Sequence, residues 1–551
     1  MAATEEKILD AVPETPLSSS GSSETRSVAD LGLTTDLEKN KLGDSPDEYD
    51  LHRIRSGATD LSPDEQQEEL ERGMSRVESL DSDVVGWDGP EDKGNPYNWS
   101  KKKKWGVTAI VALMTFVVAL ASSIFTAGIT TIAAQFGVSS TVGTLGLTLY
   151  VVGFATGPLV FAPMSEVYGR NIVYRINWVL FTVFQIGCAR AENIATLLVC
   201  RLIAGITGAA PIANAGGTLG DIWSPAERGE AMALYAVAPF MGPVFGPIIG
   251  GFLTQYVSWR WTFWIVLILA GVMGAFMFAF LPETFGKTLL ERKAARLRKE
   301  TGRAELHAAH ERAGFSHIEL FRRSIVRPVV MLFTEPIVFV TSLYCAIVYA
   351  ILYMNFIAYP IVFELERGWG SGIAGLPFIA LGIGMVLAVM TSPYQTKIYL
   401  RVSKEKGNGK IYPEARLPLT IYAAYFMPIS LLWFGWGSLR HVHWIVPVLS
   451  GIPFGFSMVI IFLTMMSYLV DTYLLYAASA LASNSLLRSL LGATFPLFAD
   501  QMYTKMHVKW AATMLAGISL LLAPMPLVFY RYGPQIRARS IKTPTMPPAP
   551  K

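Results

Sequence analysis

Charge is scarce along this chain. Only 16% of its 551 residues are Asp, Glu, Lys or Arg, against 52% hydrophobic, and the mean hydropathy is +0.39. An ordinary soluble domain carries about a quarter charged residues, so that class is excluded first. Cysteine is scarcer still: Cys188, Cys200 and Cys345 are the three, all inside apolar stretches, and no disulfide framework is expected. The seven histidines all lie outside the apolar runs. His307 and His310 sit three apart, but two imidazoles without a third ligand fall short of a metal site, and no metal or cofactor is expected. No GxxxxGK[ST] phosphate loop occurs, so direct ATP hydrolysis is not supported. The start lacks a basic stretch followed by an apolar core, so no secretory signal peptide is expected. Basic residues are sparse in residues 1–90, where 22 acidic residues face 8 basic ones among Ser, Thr and Pro with no apolar periodicity. Residues 1–100 are therefore read as a disordered acidic tail.

From Trp105 onward, apolar runs of bilayer-spanning length recur. There are twelve, centred near Thr115, Gly153, Leu180, Ala209, Phe240, Ala270, Val348, Leu381, Ile429, Met458, Leu487 and Leu520. The fold class is all-α and polytopic, with twelve membrane helices in two six-helix halves, 101–284 and 328–532. A basic linker at 285–327 separates them, with 11 Lys plus Arg, and a tail covers 533–551. Lys101 to Lys104, Arg170, Arg228, this linker and six basic residues from Lys397 to Arg416 all fall on one side, while the opposite loops hold one or two each. By the positive-inside rule both termini and the linker are cytoplasmic. The Asn98-Trp99-Ser100 glycosylation sequon sits beside Lys101 on that side and is expected to be unmodified.

Ala238 to Phe252 reads APFMGPVFGPIIGGF, four glycines and three prolines in fifteen residues. Interior Gly and Pro cost about 1 and 3 kcal/mol against Ala. Only a bundle whose neighbours re-satisfy the backbone and exploit the small residues compensates for that, so the segment is a bent, close-packed membrane helix. Arg201 lies well inside the fourth run, where an arginine costs about 2.5–3.5 kcal/mol even on lenient scales and must face the bundle interior or a wet cavity. Asp221 ends the same run, about 30 Å further along the helix axis, too far to pair with Arg201. Its alternative reading is a loop ion pair with Arg228 or a neighbour. In the eleventh run Asn484 and Arg488 share a helix face. Arg488 either snorkels to backbone carbonyls or meets an anion or substrate. Tyr349, Tyr353 and Phe356 in the seventh run, with Phe378 in the eighth, either line an adaptable cavity or pack helix on helix.

Several motifs in register give the chain a family likeness. Gly246, Pro247, Gly250 and Gly251, with Gly242 one turn earlier, resemble the fifth-helix antiporter motif of the major facilitator superfamily. GPLVFAPMSEVYGRN from Gly157 resembles its loop motif through Glu166, Gly169 and Arg170, although Ala162 and Val167 replace a Gly and a basic residue of the pattern. Arg201 with Gly205 and Gly208 is similar to its fourth-helix motif. GWDGPEDKGNPYNWSKKKKW from Gly86, LPET at Leu281, PEARL at Pro413 and RYG at Arg531 look like fungal members of the twelve-span drug:proton antiporter branch.

The resemblance implies two halves around a midplane cavity that opens alternately to each side. It assigns Arg201 and Asp221 to proton coupling and Glu166, Gly169 and Arg170 to gating. It implies export of small amphipathic compounds such as drugs, toxins or secondary metabolites, driven by protons across the plasma membrane, by a monomer with no nucleic-acid partner and no enzymatic activity. Two other readings stand beside it: proton-coupled uptake of a polyamine, organic acid or other nutrient, and a membrane sensor that does not transport.

Overall fold

The computed structural model describes residues 83–89, 91–224, 227–311, 322–407, 412–538 and 540. The expected acidic tail lies outside them through residue 82, and the C-terminal tail does so from residue 541. Among the described residues, helix is the regular structure throughout, apart from one isolated bridge between Val84 and His307.

Six spans form the first half: Lys101–Phe136, Ser140–Val167, Arg170–Ala189, Ile194–Ile222, Arg228–Tyr256 and Arg260–Phe280. Their ends carry ordinary capping chemistry. Asn193 Oδ1 accepts from the Thr196 N–H at 2.8 Å to open the fourth span. Gly137, at φ +64°, closes the first in the left-handed conformation that glycine adopts without strain. The linker helix Gly286–Thr301 follows. The second half begins with Pro336–Glu366, Ser371–Glu405, Pro418–Gly437 and Ile445–Tyr473. One further helical run, Ala477–Ala538, is 62 residues long, about twice what a bilayer needs. Its helical geometry breaks at His507, at φ 61° and ψ 149°, which divides it into the eleventh and twelfth spans.

The halves repeat one packing scheme. In the first, span 1 lies on span 5, 2 on 4 and 3 on 6; in the second, 7 lies on 11, 8 on 10 and 9 on 12. Spans 2 and 11, and spans 5 and 8, join the halves. The hydrogen bonds across that seam fall toward the face opposite the linker. Ser140 Oγ donates to Asp500 at 2.8 Å, Thr148 Oγ1 to the Ala493 carbonyl at 2.7 Å, and the Gly372 N–H to Gln255 Oε1 at 2.8 Å. Tyr353 O–H reaches Ser122 Oγ at 3.2 Å nearer the middle.

At the linker face, residues 84–92 lie along the linker helix. Lys293 Nζ meets Asp88 at 2.6 Å and Asp92 at 3.5 Å, the Val85 N–H donates to the His307 carbonyl at 2.8 Å, and Val85 packs with Ala294 and Leu306. His310 meets Glu291 at 2.9 Å, whereas the His307 ring meets the Glu305 carbonyl at 2.8 Å, so these two histidines face different partners.

Candidate functional site: two charge clusters, a buried arginine and an aromatic seam

The loop between spans 2 and 3 closes at Gly169, whose φ of +93° lies in the region that favours glycine. That turn aims Arg170 back at its own half, where Nε pairs with Asp221 at 3.2 Å and Nη1 donates to Ser165 Oγ at 2.5 Å. The Arg170 and Asn171 N–H groups, at the start of span 3, donate to the Glu283 carboxylate at 2.9 and 3.2 Å. This is an anion seated on a helix N-terminus. Asp221 therefore pairs with Arg170, whereas Arg228 donates to the Gly220 carbonyl at 3.1 Å. Glu166 is exposed and takes no part in the described ion pairs. The carboxylate at the start of span 3 is Glu283, the acid of LPET, and not Glu166.

A second cluster at the same face of the other half ties the turn before span 9 to the end of span 10. Arg416 Nε meets Asp471 at 2.8 Å, and Glu414, fully buried, is gripped by Arg537 at 2.9 and 3.0 Å. Burial pushes the Glu414 carboxyl above the ordinary range, and Arg537 pulls it back. The Arg-Asp pair recurs in both halves, the equivalence that an internal repeat predicts. PEARL was visible as a motif, but its partners Asp471 and Arg537 are 55 and 123 residues away from theirs, beyond the reach of spacing arguments.

Arg201 is completely buried, with no carboxylate in ion-pair distance among the described residues. Its Nε donates to the Gly146 carbonyl at 3.0 Å, Nη1 to Ala121 at 2.8 Å and Nη2 to Ser122 at 3.4 Å, while its plane lies 4.3 Å from the Tyr150 ring and 4.7 Å from Phe125. Carbonyl dipoles and ring faces carry its charge. The two residues expected to share proton coupling thus stand apart: Arg201 pins spans 1 and 2 together, and Asp221 belongs to the loop cluster.

The glycine-proline helix divides its glycines between two neighbours. A Cβ on Gly242, Gly246 or Gly250 would strike the backbone or side chains of Ala119, Ser123 and Ile124 in span 1, whereas one on Gly251 would strike Ser371 of span 8. The carbonyl of Pro247 abuts Gly375, also from span 8. Close approach is the shared property, but Gly251 and Pro247 alone in this motif face the other half.

Of the expected aromatic lining, Tyr349 stands at the seam and Phe356 and Phe378 do not. The latter two are 1% exposed in a packed group with Tyr359 and Phe434, with ring centroids 5.5 Å apart for Phe356 and Phe378 and 4.5 Å for Tyr359 and Phe378. Tyr349 lies 5.1 Å from the Arg488 guanidinium and Phe462 5.6 Å from it, the two rings being 6.1 Å apart. Phe462 also meets Phe240 of the first half at 5.9 Å. Asn484 lies one turn from Arg488, fully buried. Sequence reasoning missed Phe240 and Phe462, since nothing in an apolar run distinguishes a seam aromatic from a core one.

A twelve-span, twofold-repeated bundle with charged turns at one face and an aromatic seam between its halves is the architecture of a multi-pass membrane carrier of small solutes. The sequence profile of the Major Facilitator Superfamily matches residues 111–496, and the chain belongs to that family. It is 45% identical over 449 residues to the major facilitator superfamily multidrug transporter mdrA of Aspergillus fumigatus, covering 81% of this chain and 74% of that one. It is likewise 45% identical to the MFS-type efflux pump MFS2 of Trichophyton rubrum, covering 82% and 76%. Among solved structures, the xylose transporter XylE of E. coli, in a partially occluded inward-open conformation, superposes with a TM-score of 0.56 over 78% of this chain and 99% of that one, at 16% identity. That last likeness is one of fold.

Proposed function

We propose that this protein exports small amphipathic compounds from the cytosol in exchange for protons, acting at the plasma membrane with both termini inside. The observation that carries the reading is the pair of fungal relatives, 45% identical over more than four-fifths of the chain and named as a multidrug transporter and an efflux pump. The aromatic seam supports it, because ring faces accept many apolar shapes without demanding directional bonds. So does the position of the inter-half hydrogen bonds away from the linker, the arrangement in which a cytosolic compound enters between the halves. Arg170 with Asp221, and Glu283, are read as the gate of the first half, with Asp221 the group that titrates during coupling and Arg201 the residue that organises the route.

The full chain reconstituted in vesicles, with a proton gradient of either sign, tests this. A fluorescent amphipathic substrate is expected to accumulate against its gradient only when protons run the other way, and movement of substrate with the protons would replace export by uptake. Asp221→Asn is expected to abolish proton-driven accumulation while substrate binding stays measurable. Normal dependence on the gradient in that variant would put the coupling group elsewhere.

A further inference from the structure

Arg488 stands half-buried at the middle of span 11, between the linker face and the point where Thr148 bonds the Ala493 carbonyl to join the halves. Its described neighbours are the Tyr349 and Phe462 rings, and its charge has no described ionic or hydrogen-bond partner. No carboxylate lies within ion-pair distance, no carbonyl accepts from it, and its Nε is buried without a hydrogen bond. Arg201, by contrast, donates from each of its three guanidinium nitrogens to a carbonyl. One turn before Arg488, Asn484 is 0% exposed; the Cys345 thiol, a weak partner, faces it, and neither its Oδ1 nor its Nδ2 has a hydrogen bond to a nitrogen or oxygen. Buried amides and guanidinium groups without partners are costly and therefore rare in a folded protein, and two at four-residue spacing on one helix face mark a place that something else completes.

We propose that Arg488 and Asn484 form an anion subsite, and that the compounds this protein carries include aromatic or otherwise apolar molecules bearing a single carboxylate. The proposal rests on the transport reading above and names its substrate chemistry. A carboxylate satisfies the planar donor fork of Arg488 and accepts from the Asn484 amide N–H. The apolar body then lies on the ring faces already there, Tyr349 and Phe462 from the second half and Phe240 from the first. The site also touches the seam. Tyr349 O–H and Tyr353 O–H are 3.3 Å apart, Tyr353 O–H reaches Ser122 Oγ at 3.2 Å, and the Ser122 carbonyl accepts from Arg201. An anion that draws the Tyr349 hydroxyl toward itself pulls on the hydrogen bond that fastens the two halves.

The test uses the purified full chain in lipid nanodiscs and three probes with one ring system: 2-naphthoate, 2-naphthamide and 2-naphthylmethylammonium. Binding is read by quenching of intrinsic tryptophan fluorescence. The acid is expected to bind at least about tenfold tighter than the amide or the amine, the size of one charge-assisted hydrogen bond pair. Arg488→Gln is expected to abolish that preference and Arg488→Lys to restore part of it, with thermal unfolding midpoints of both variants close to the wild-type value. Equal affinity for acid and amide, no binding of the acid, or an undiminished acid preference in folded Arg488→Gln overturns the subsite. Because these measurements need no gradient, they separate from the export assay. Proton-driven export of a neutral dye without acid preference removes the subsite alone, and acid preference without uphill export removes the transport direction alone.

Discussion

At the residue scale, Arg201 is the position where burial and chemistry constrain each other most. The sequence placed an arginine inside a membrane run and required an interior partner; the structure supplies carbonyls and rings, with no acid. Arg201→Ala removes three hydrogen bonds from a charged donor, to the carbonyls of Gly146, Ala121 and Ser122, each worth about 1.5–3 kcal/mol. It is expected to lower the unfolding temperature and surface abundance together. Lysine keeps the charge but reaches one or two of those carbonyls, so Arg201→Lys is expected to recover part of both and only part of export. Surface labelling combined with efflux decides between the roles: a folded, surface-localised Arg201→Ala with full efflux would remove Arg201 from the transport route. The sequence could not reveal the partners, because they are backbone groups 55 to 80 residues away.

At the scale of elements, the fifth span shows how one motif serves two contacts. Gly246→Leu forces a side chain into Ser123 and the span 1 backbone and is expected to destabilise the first half by about 1–3 kcal/mol, read as a lower unfolding midpoint. Gly251→Leu presses on Ser371 instead, so it is expected to leave that midpoint nearly unchanged and to slow transport by splaying spans 5 and 8. Equal loss of stability in both variants would contradict this division. The segment 84–92 and the linker helix make a contact whose strength depends on pH. N–H donors from Asp88 and Gly94 hold the Asp92 carboxyl below its ordinary range, and the hydrogen bond from Arg298 does the same for Glu311. Since the native state favours both ionised forms, their contribution is present above the ordinary carboxylate pKa and is lost as pH falls through the lower native values. Hydrogen exchange of the linker helix amides, corrected for intrinsic rate, is expected to accelerate on acidification below about pH 4. Protection unchanged down to pH 3 would show that Lys293, Asp88 and Asp92 do not hold the helix.

At the scale of the whole molecule, the halves are fastened at one face and charged at the other. Ser140 and Asp500 meet at 2.8 Å across the seam, so Ser140→Cys with Asp500→Cys, in a chain freed of its three native cysteines, is expected to cross-link and stop transport until reduced. Transport that continues through a fully formed cross-link would show that this face need not open. The sequence by itself determined the membrane class, the six-and-six division and the need for close packing around Gly242, Gly246 and Gly250. It did so because apolar length, charge bias and glycine spacing are local quantities that a bilayer reads directly. Tertiary structure alone decided that Asp221 belongs to Arg170, that Glu283 and not Glu166 sits at the start of span 3, that Phe356 and Phe378 are core, and that Arg488 has only rings beside it while Arg201 donates to three carbonyls. These depend on which faces of distant helices meet. In a chain whose spans are apolar all round, that choice is made by packing between helices and leaves little trace in the order of residues along any one of them.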